Sequence, residues 1–114
     1  MLSNNFQFIG RLTKDPIYYS GEGKKPFVTL SIAVERNKDE VDFIHLIAYN
    51  NTADFINSYI TKGTLIAVEG KISFYREIEA IINGENKKIS VPDFVIDEVK
   101  ILSKPQTQST TEEA

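Results

Sequence analysis

Apolar and polar residues alternate at a period of two along most of this chain, and only one short stretch carries the period of a helix. Asn4–Leu12 alternates around Phe6, Phe8 and Gly10 and predicts a first strand, broken by Asp15-Pro16. Ser20–Pro26 is polar and rich in turn formers, so it reads as a loop. Phe27–Val34 predicts a second strand, the charged run Arg36–Glu40 a loop, and Val41–Tyr49 a third strand rich in β-branched and aromatic residues. Ala53, Ile56 and Ile60 then fall at helical spacing. Asn51 or Thr52 is placed to cap that helix, Asp54 suits its positive end, and Lys62-Gly63 is expected to stop it. A fourth strand starts at Leu65–Glu69, bends at Gly70 and continues through Ile72, Phe74 and Ile78. Asn83-Gly84 is a two-residue hairpin signal, and Lys87–Leu102 returns as a fifth strand in which Pro92 argues for a bulge or an edge.

Three strands, one helix and two strands, in that order, predict an all-β chain: a five-stranded Greek-key β-barrel with a short helix between strands 3 and 4, the OB-fold arrangement. The 114 residues fit one domain. That domain is expected over residues 1–102. From Ser103 onward no large apolar residue remains, so 103–114 is expected to be a disordered tail. No internal repeat is present. No apolar run approaches the ~20 residues that span a bilayer. Met1–Asn5 lacks the features of a signal peptide, and there is no cysteine. Together these predict a cytoplasmic protein without membrane attachment.

The net charge of −3 is unlike that of a simple basic nucleic-acid binder. Setting aside Lys104, Glu112 and Glu113 from the totals of 13 basic and 16 acidic residues leaves 12 and 14 through Leu102. The body is therefore nearly balanced, and phosphate binding would need a local basic face.

Catalysis finds little support. His45 is the single histidine, at mid-strand, and no partners stand at metal-ligand spacing. Strand periodicity puts Asp42 on the face opposite His45. There is no phosphate loop and no nucleophile motif. The expectation is a non-enzyme with no metal and no cofactor; a small β-barrel enzyme using His45 is the rival reading.

The third strand carries most of the functional information. Ile44, Leu46 and Ala48 share one face and suit a barrel interior. Phe43, His45, Ile47 and Tyr49 share the other, where rings on an open sheet can stack on bases at ~1–3 kcal/mol each. The same rings could equally bury against a second subunit or the loops. On the fourth strand Ile72, Phe74 and Ile78 read as core, while Lys71, Ser73 and Tyr75 read as exposed, with Arg76 next to them. Lys24, Lys25, Arg36, Lys38 and Lys62 lie at loops and could line a groove, although Glu22, Glu35, Asp39 and Glu40 lie among them.

Four stretches resemble a known family. They are Ile9–Pro16, Leu30–Val34, Val41–Tyr49 and Tyr59–Ile72, and Val91–Leu102 follows the same family's ending. Each is weak alone; together, in this order, the chain from Asn4 to Leu102 resembles the bacterial-type single-stranded DNA-binding proteins, bacteriophage versions included. The resemblance implies that Phe43 and Tyr49 stack on bases, where the family places a tryptophan and a phenylalanine. It puts His45 at a polar position between them and Lys62 at a basic one after the helix. Tyr75 stands two residues short of the family's stacking aromatic on strand 4, whose own place holds Glu77.

The expected binding set is thus Phe43, His45, Tyr49, Lys62, Lys71, Tyr75, Arg76 and Arg36, and the expected ligand is single-stranded DNA, coated without sequence preference during replication, recombination and repair. The resemblance also implies a homotetramer with the first strand in a dimer interface. A physical motive points the same way, since both faces of strand 3 are apolar and one barrel buries only one. Replication and recombination proteins are the expected further partners. The chain departs from the family in having no tryptophan and in ending Thr111-Glu112-Glu113-Ala114 where the family has an acidic tip finishing in Pro-Phe. The alternative is an OB-fold accessory of primosome type, acting mainly through protein contacts.

Overall fold

The computed structural model describes residues 4–105. Its elements are β1 Phe6–Leu12, β2 Ile17–Gly21, β3 Lys24–Asn37, β4 Glu40–Tyr49, α1 Asn50–Tyr59, β5 Leu65–Ile82 and β6 Glu85–Ser103. β1 pairs antiparallel with β5 from Phe6↔Gly70 to Arg11↔Leu65, and its far end pairs with β3 at Arg11↔Ala33 and Leu12↔Ile32. β3 and β4 form a long antiparallel hairpin, as do β5 and β6. β4 and β6 meet in parallel at Leu46↔Phe94 and Ile47↔Val95. The sheet therefore curls back on itself around one inner face, as an OB-fold requires.

That inner face holds the core. Leu12, Val28, Leu30, Ile32, Leu46, Ala48, Ile66, Val68 and Ile96 are all buried, and Ala53, Ile56 and Ile60 cover them from the helix side. Gly70 is glycine because β5 crosses β6 there at close range: a Cβ would run into the carbonyl oxygen of Val95. The register shifts at the same place, between Glu69 and Gly70, which is the bend expected from the sequence.

Three local readings need correction. First, the loop expected over Ser20–Pro26 is mostly strand: β2 and β3 form a hairpin, with Gly21 opposite Lys24 and Gly23 at φ 72° in the turn between them. The three long strands before the helix remain in the expected order, and β2 adds a short edge strand to them. Second, Asn51 and Thr52 lie inside α1; the cap residue is Tyr49, without a side-chain cap bond. The Asp54 carboxylate instead accepts a 2.6 Å hydrogen bond from the Tyr18 hydroxyl. The helix ends at Tyr59, where the Ile60 amide donates to the Ile56 carbonyl, and Lys62-Gly63 belongs to the turn that follows.

Third, Phe74 and Ile78 are not core. β5 and β6 leave the barrel after Ser73↔Asp93 and run on as a two-stranded arm. Phe74 is 58% exposed and Ile78 43%, because nothing among the described residues covers the arm, whereas Ile72, still on the barrel, packs against the core. The arm begins at a bulge: Ser73 faces Asp93 and Arg76 faces Val91, so Phe74 and Tyr75 together oppose the single residue Pro92, which has no N–H to offer a ladder. It ends at Asn83-Gly84, with φ of 53° and 80°, the geometry of a type I′ turn. At the other end of β6, Pro105 lies beside Gly63. The tail expected to be disordered from Ser103 falls, from 106 to 114, outside the described residues.

Candidate nucleic-acid interface

β4 alternates as its sequence requires. Leu46 and Ala48 point inward and are buried, and Ile44 packs against the same core. Phe43, His45, Ile47 and Tyr49 point outward, with Phe43 64% and Tyr49 40% exposed. The register extends this outer face across the neighbouring strands. One continuous row runs Ile17, Thr29, Ile47, Val95, Lys71 over β2, β3, β4, β6 and β5. Beside it lies a row of rings, Tyr19, Phe27 and Tyr49. On the other side His45 stands opposite Ser31, and Phe43 opposite Ala33.

A groove of about 430 Å³ opens on this face. It brings His45, Tyr49 and Arg76 together with Lys14, Ile17 and Asp93. Lys71 joins the face through the row just described, and Tyr75, almost fully exposed, stands beside Arg76 at the root of the arm. Arg76 is not free in this arrangement. Its guanidinium donates to the Asp93 carboxylate at 2.8 and 3.2 Å, and that hydrogen bond, followed by the carboxylate's charge, raises its already high pKa.

Two of the expected residues lie elsewhere. Arg36 sits at the β3–β4 turn and donates to Glu40 at 3.0 Å and to Asp42 at 3.2 Å. Lys62 does not line the groove; its backbone N–H donates to Asp15 Oδ1 at 2.7 Å in the turn after the helix. Exposed ion pairs of the Arg36 and Arg76 kind hold weakly, so either guanidinium can exchange a carboxylate for a phosphate at modest cost.

Sequence reasoning missed Tyr19 and Phe27, which stack with ring centroids 4.6 Å apart and planes 13° from parallel. Phe27 in turn leans on Tyr49 at 6.1 Å. The usable signal was the turn residue Gly23 between two β-rich runs, which folds Ile17–Tyr19 back onto Phe27–Thr29. Among the described residues no three His, Cys, Asp or Glu side chains converge as a metal ion would need, and no helix is long and apolar enough to cross a membrane.

Further along the outer face of β4, beyond Phe43, β1 turns Ile9 outward, 58% exposed, into a hollow shared with Val41, Ala33 and Leu65. Nothing in the described chain covers it.

A family model described as the single-strand binding protein family matches residues 3–102. Among curated relatives, Single-stranded DNA-binding protein 1 of Staphylococcus aureus (strain COL) is 32% identical over 111 residues, which cover 92% of this chain and 64% of the relative. The Single-stranded DNA-binding protein of Malacoplasma penetrans is 34% identical over 102 residues, covering 88% of this chain and 52% of the relative. That of Fusobacterium nucleatum is 32% identical over 111 residues, covering 90% and 69%. The chain thus spans between about half and just over two thirds of the length of these relatives. With the family model aligned from the first strand to the last, the chain belongs to the single-strand binding protein family.

Proposed function

We propose that the chain binds single-stranded DNA without sequence preference, and that it coats and protects exposed strands during replication, recombination and repair. The observation that carries this is the outer face of β4, where Phe43, His45, Ile47 and Tyr49 are held outward by a fully packed inner face. Every base has a π-face, so ring stacking is tolerant of sequence and contributes ~1–3 kcal/mol per base. Phe43 and Tyr49 are the principal base platforms, His45 is a polar contact between them, and Tyr75 is a further ring at the root of the arm. Lys71 and Arg76 meet phosphates near the groove; Lys62 and Arg36 do so outside it, at the turns that carry them. No step of this needs a reaction, a metal or a cofactor.

The relatives' names support the ligand. The uncovered hollow around Ile9 and Val41 supports self-association through β1, and a homotetramer satisfies it. The setting is the cytoplasm of a bacterial or phage-infected cell, with replication and recombination proteins as further partners.

The test is binding to an oligonucleotide and to its duplex of the same length, over a range of salt. The single strand is expected to bind more tightly, since stacking needs unpaired bases, and affinity should fall as salt rises because phosphate contacts release counterions. Equal affinity for the duplex would contradict the proposal. A flat salt response would remove the roles given to Lys62, Lys71 and Arg76.

A further inference from the structure

The ring row at the β2 edge does more than cover the sheet. We infer that Tyr19, backed by Phe27, is a second base-stacking site, which carries the strand from Tyr49 across β3 to the edge of the molecule. The inference rests on the single-stranded DNA reading above and names a further part of the same path.

β2 has five residues and pairs on one side only, yet its orientation is fixed. Tyr18 points inward, packs against the core and donates its hydroxyl to Asp54 on α1. By strand alternation Tyr19 then points outward. Its ring lies nearly parallel to Phe27, and Tyr19 remains 44% exposed. The pair leaves its outer ring open at a sheet edge, where a base can stack on it. Tyr49 closes the other end of the row at 40% exposure, so the row is continuous with the groove that holds His45. Tyr19 and Tyr49 are two strand spacings apart, about 10 Å. Lys25 shares the outward parity of Phe27, is exposed, and among the described residues forms no ion pair, so a phosphate can reach it.

The chain has no tryptophan, which makes the test direct. Tyr19→Trp in the full chain places a lone indole at the site, and its emission should be quenched as oligo(dT) binds, saturating with the complex. Tyr19→Leu keeps an apolar cover over Phe27 but has no π-face. It should lower affinity about 5- to 10-fold and shorten the occluded length by a few nucleotides, with an unchanged melting curve. Tyr19→Phe should bind like the parent. Indole emission that stays unchanged while a gel shows the complex, or Tyr19→Leu binding like the parent, overturns the second site. Tyr49→Ala in the same series separates this from the broader reading: if the parent binds and Tyr49→Ala weakens it while the Tyr19 variants do not, only the second site falls. If the parent shows no affinity for oligo(dT), the single-stranded DNA reading fails, and the second site with it.

Discussion

β5 and β6 are each two regions in one strand. Up to Ser73↔Asp93 they belong to the barrel, where Ile66, Val68 and Ile96 are buried. Beyond the bulge the same strands pair as regularly, yet Ile78, Ile81 and Ile82 are exposed at 43%, 74% and 40%. The arm even keeps an apolar face, since Ile78 stands opposite Ile89 while Glu79 and Lys88 face the other way. Alternation specifies which residues share a face; it does not say whether anything covers that face. Covering depends on β1, β3, β4 and α1, which reach the barrel half and stop short of the arm.

That contrast can be broken most sharply by truncating one isoleucine from each region. Ile66→Ala should cost about 2–5 kcal/mol in urea unfolding, because it opens a cavity among fully packed neighbours. Ile78→Ala should cost less than about 1 kcal/mol, since its site is already wet. Equal losses would mean that the arm is packed after all, by a second copy of the chain in solution.

A smaller effect tests whether the arm is a separate unit. Gly84 sits at φ 80°, so Gly84→Ala should strain the turn by about 1–2 kcal/mol. Hydrogen exchange of the amides from Glu77 to Ser90 should speed up, while exchange in β1 and β3 stays as it was. Faster exchange throughout would show that arm and barrel open together.

The smallest effect concerns β2, the other element at the periphery, which is tied to the body where the arm is not. The Tyr18 phenol should ionise above the usual tyrosine value near 10, because its hydrogen bond to Asp54 favours the protonated form, with desolvation and the carboxylate's charge adding to this. A raised folded-state value means that the tether is fully present below pH ~10 and is lost as the pH climbs through that raised value. Ultraviolet titration of tyrosinate, compared with Tyr18→Phe, should assign the late step to Tyr18, and Asp54→Asn should move it down. A Tyr18 titration unchanged by Asp54→Asn would show that the tether is absent in solution.

Much of this molecule is legible in its residues, for reasons that are local. The faces of β4 follow from alternation alone, the arm's tip from Asn83-Gly84, and the bulge from Pro92, which cannot donate to a ladder. What fails is whatever depends on register between distant strands. β2 is hidden because Ser20–Pro26 has loop composition, while only Glu22-Gly23 turns. Arg76 reads as a free cation until pairing brings Asp93 beside it. Tyr19 and Phe27 look unremarkable until the β2–β3 hairpin stacks them. Phe74 and Ile78 carry the right period and still lie outside the core.

The outer face of β4 is proposed to hold single-stranded DNA through its rings. Phe43→Ala/Tyr49→Ala removes both principal platforms while leaving Leu46 and Ala48 in the core. Titration of this double variant with oligo(dT) should show affinity lower by about 2 kcal/mol or more, roughly 30-fold, with a melting curve close to that of the parent. A folded double variant that binds like the parent would contradict the account.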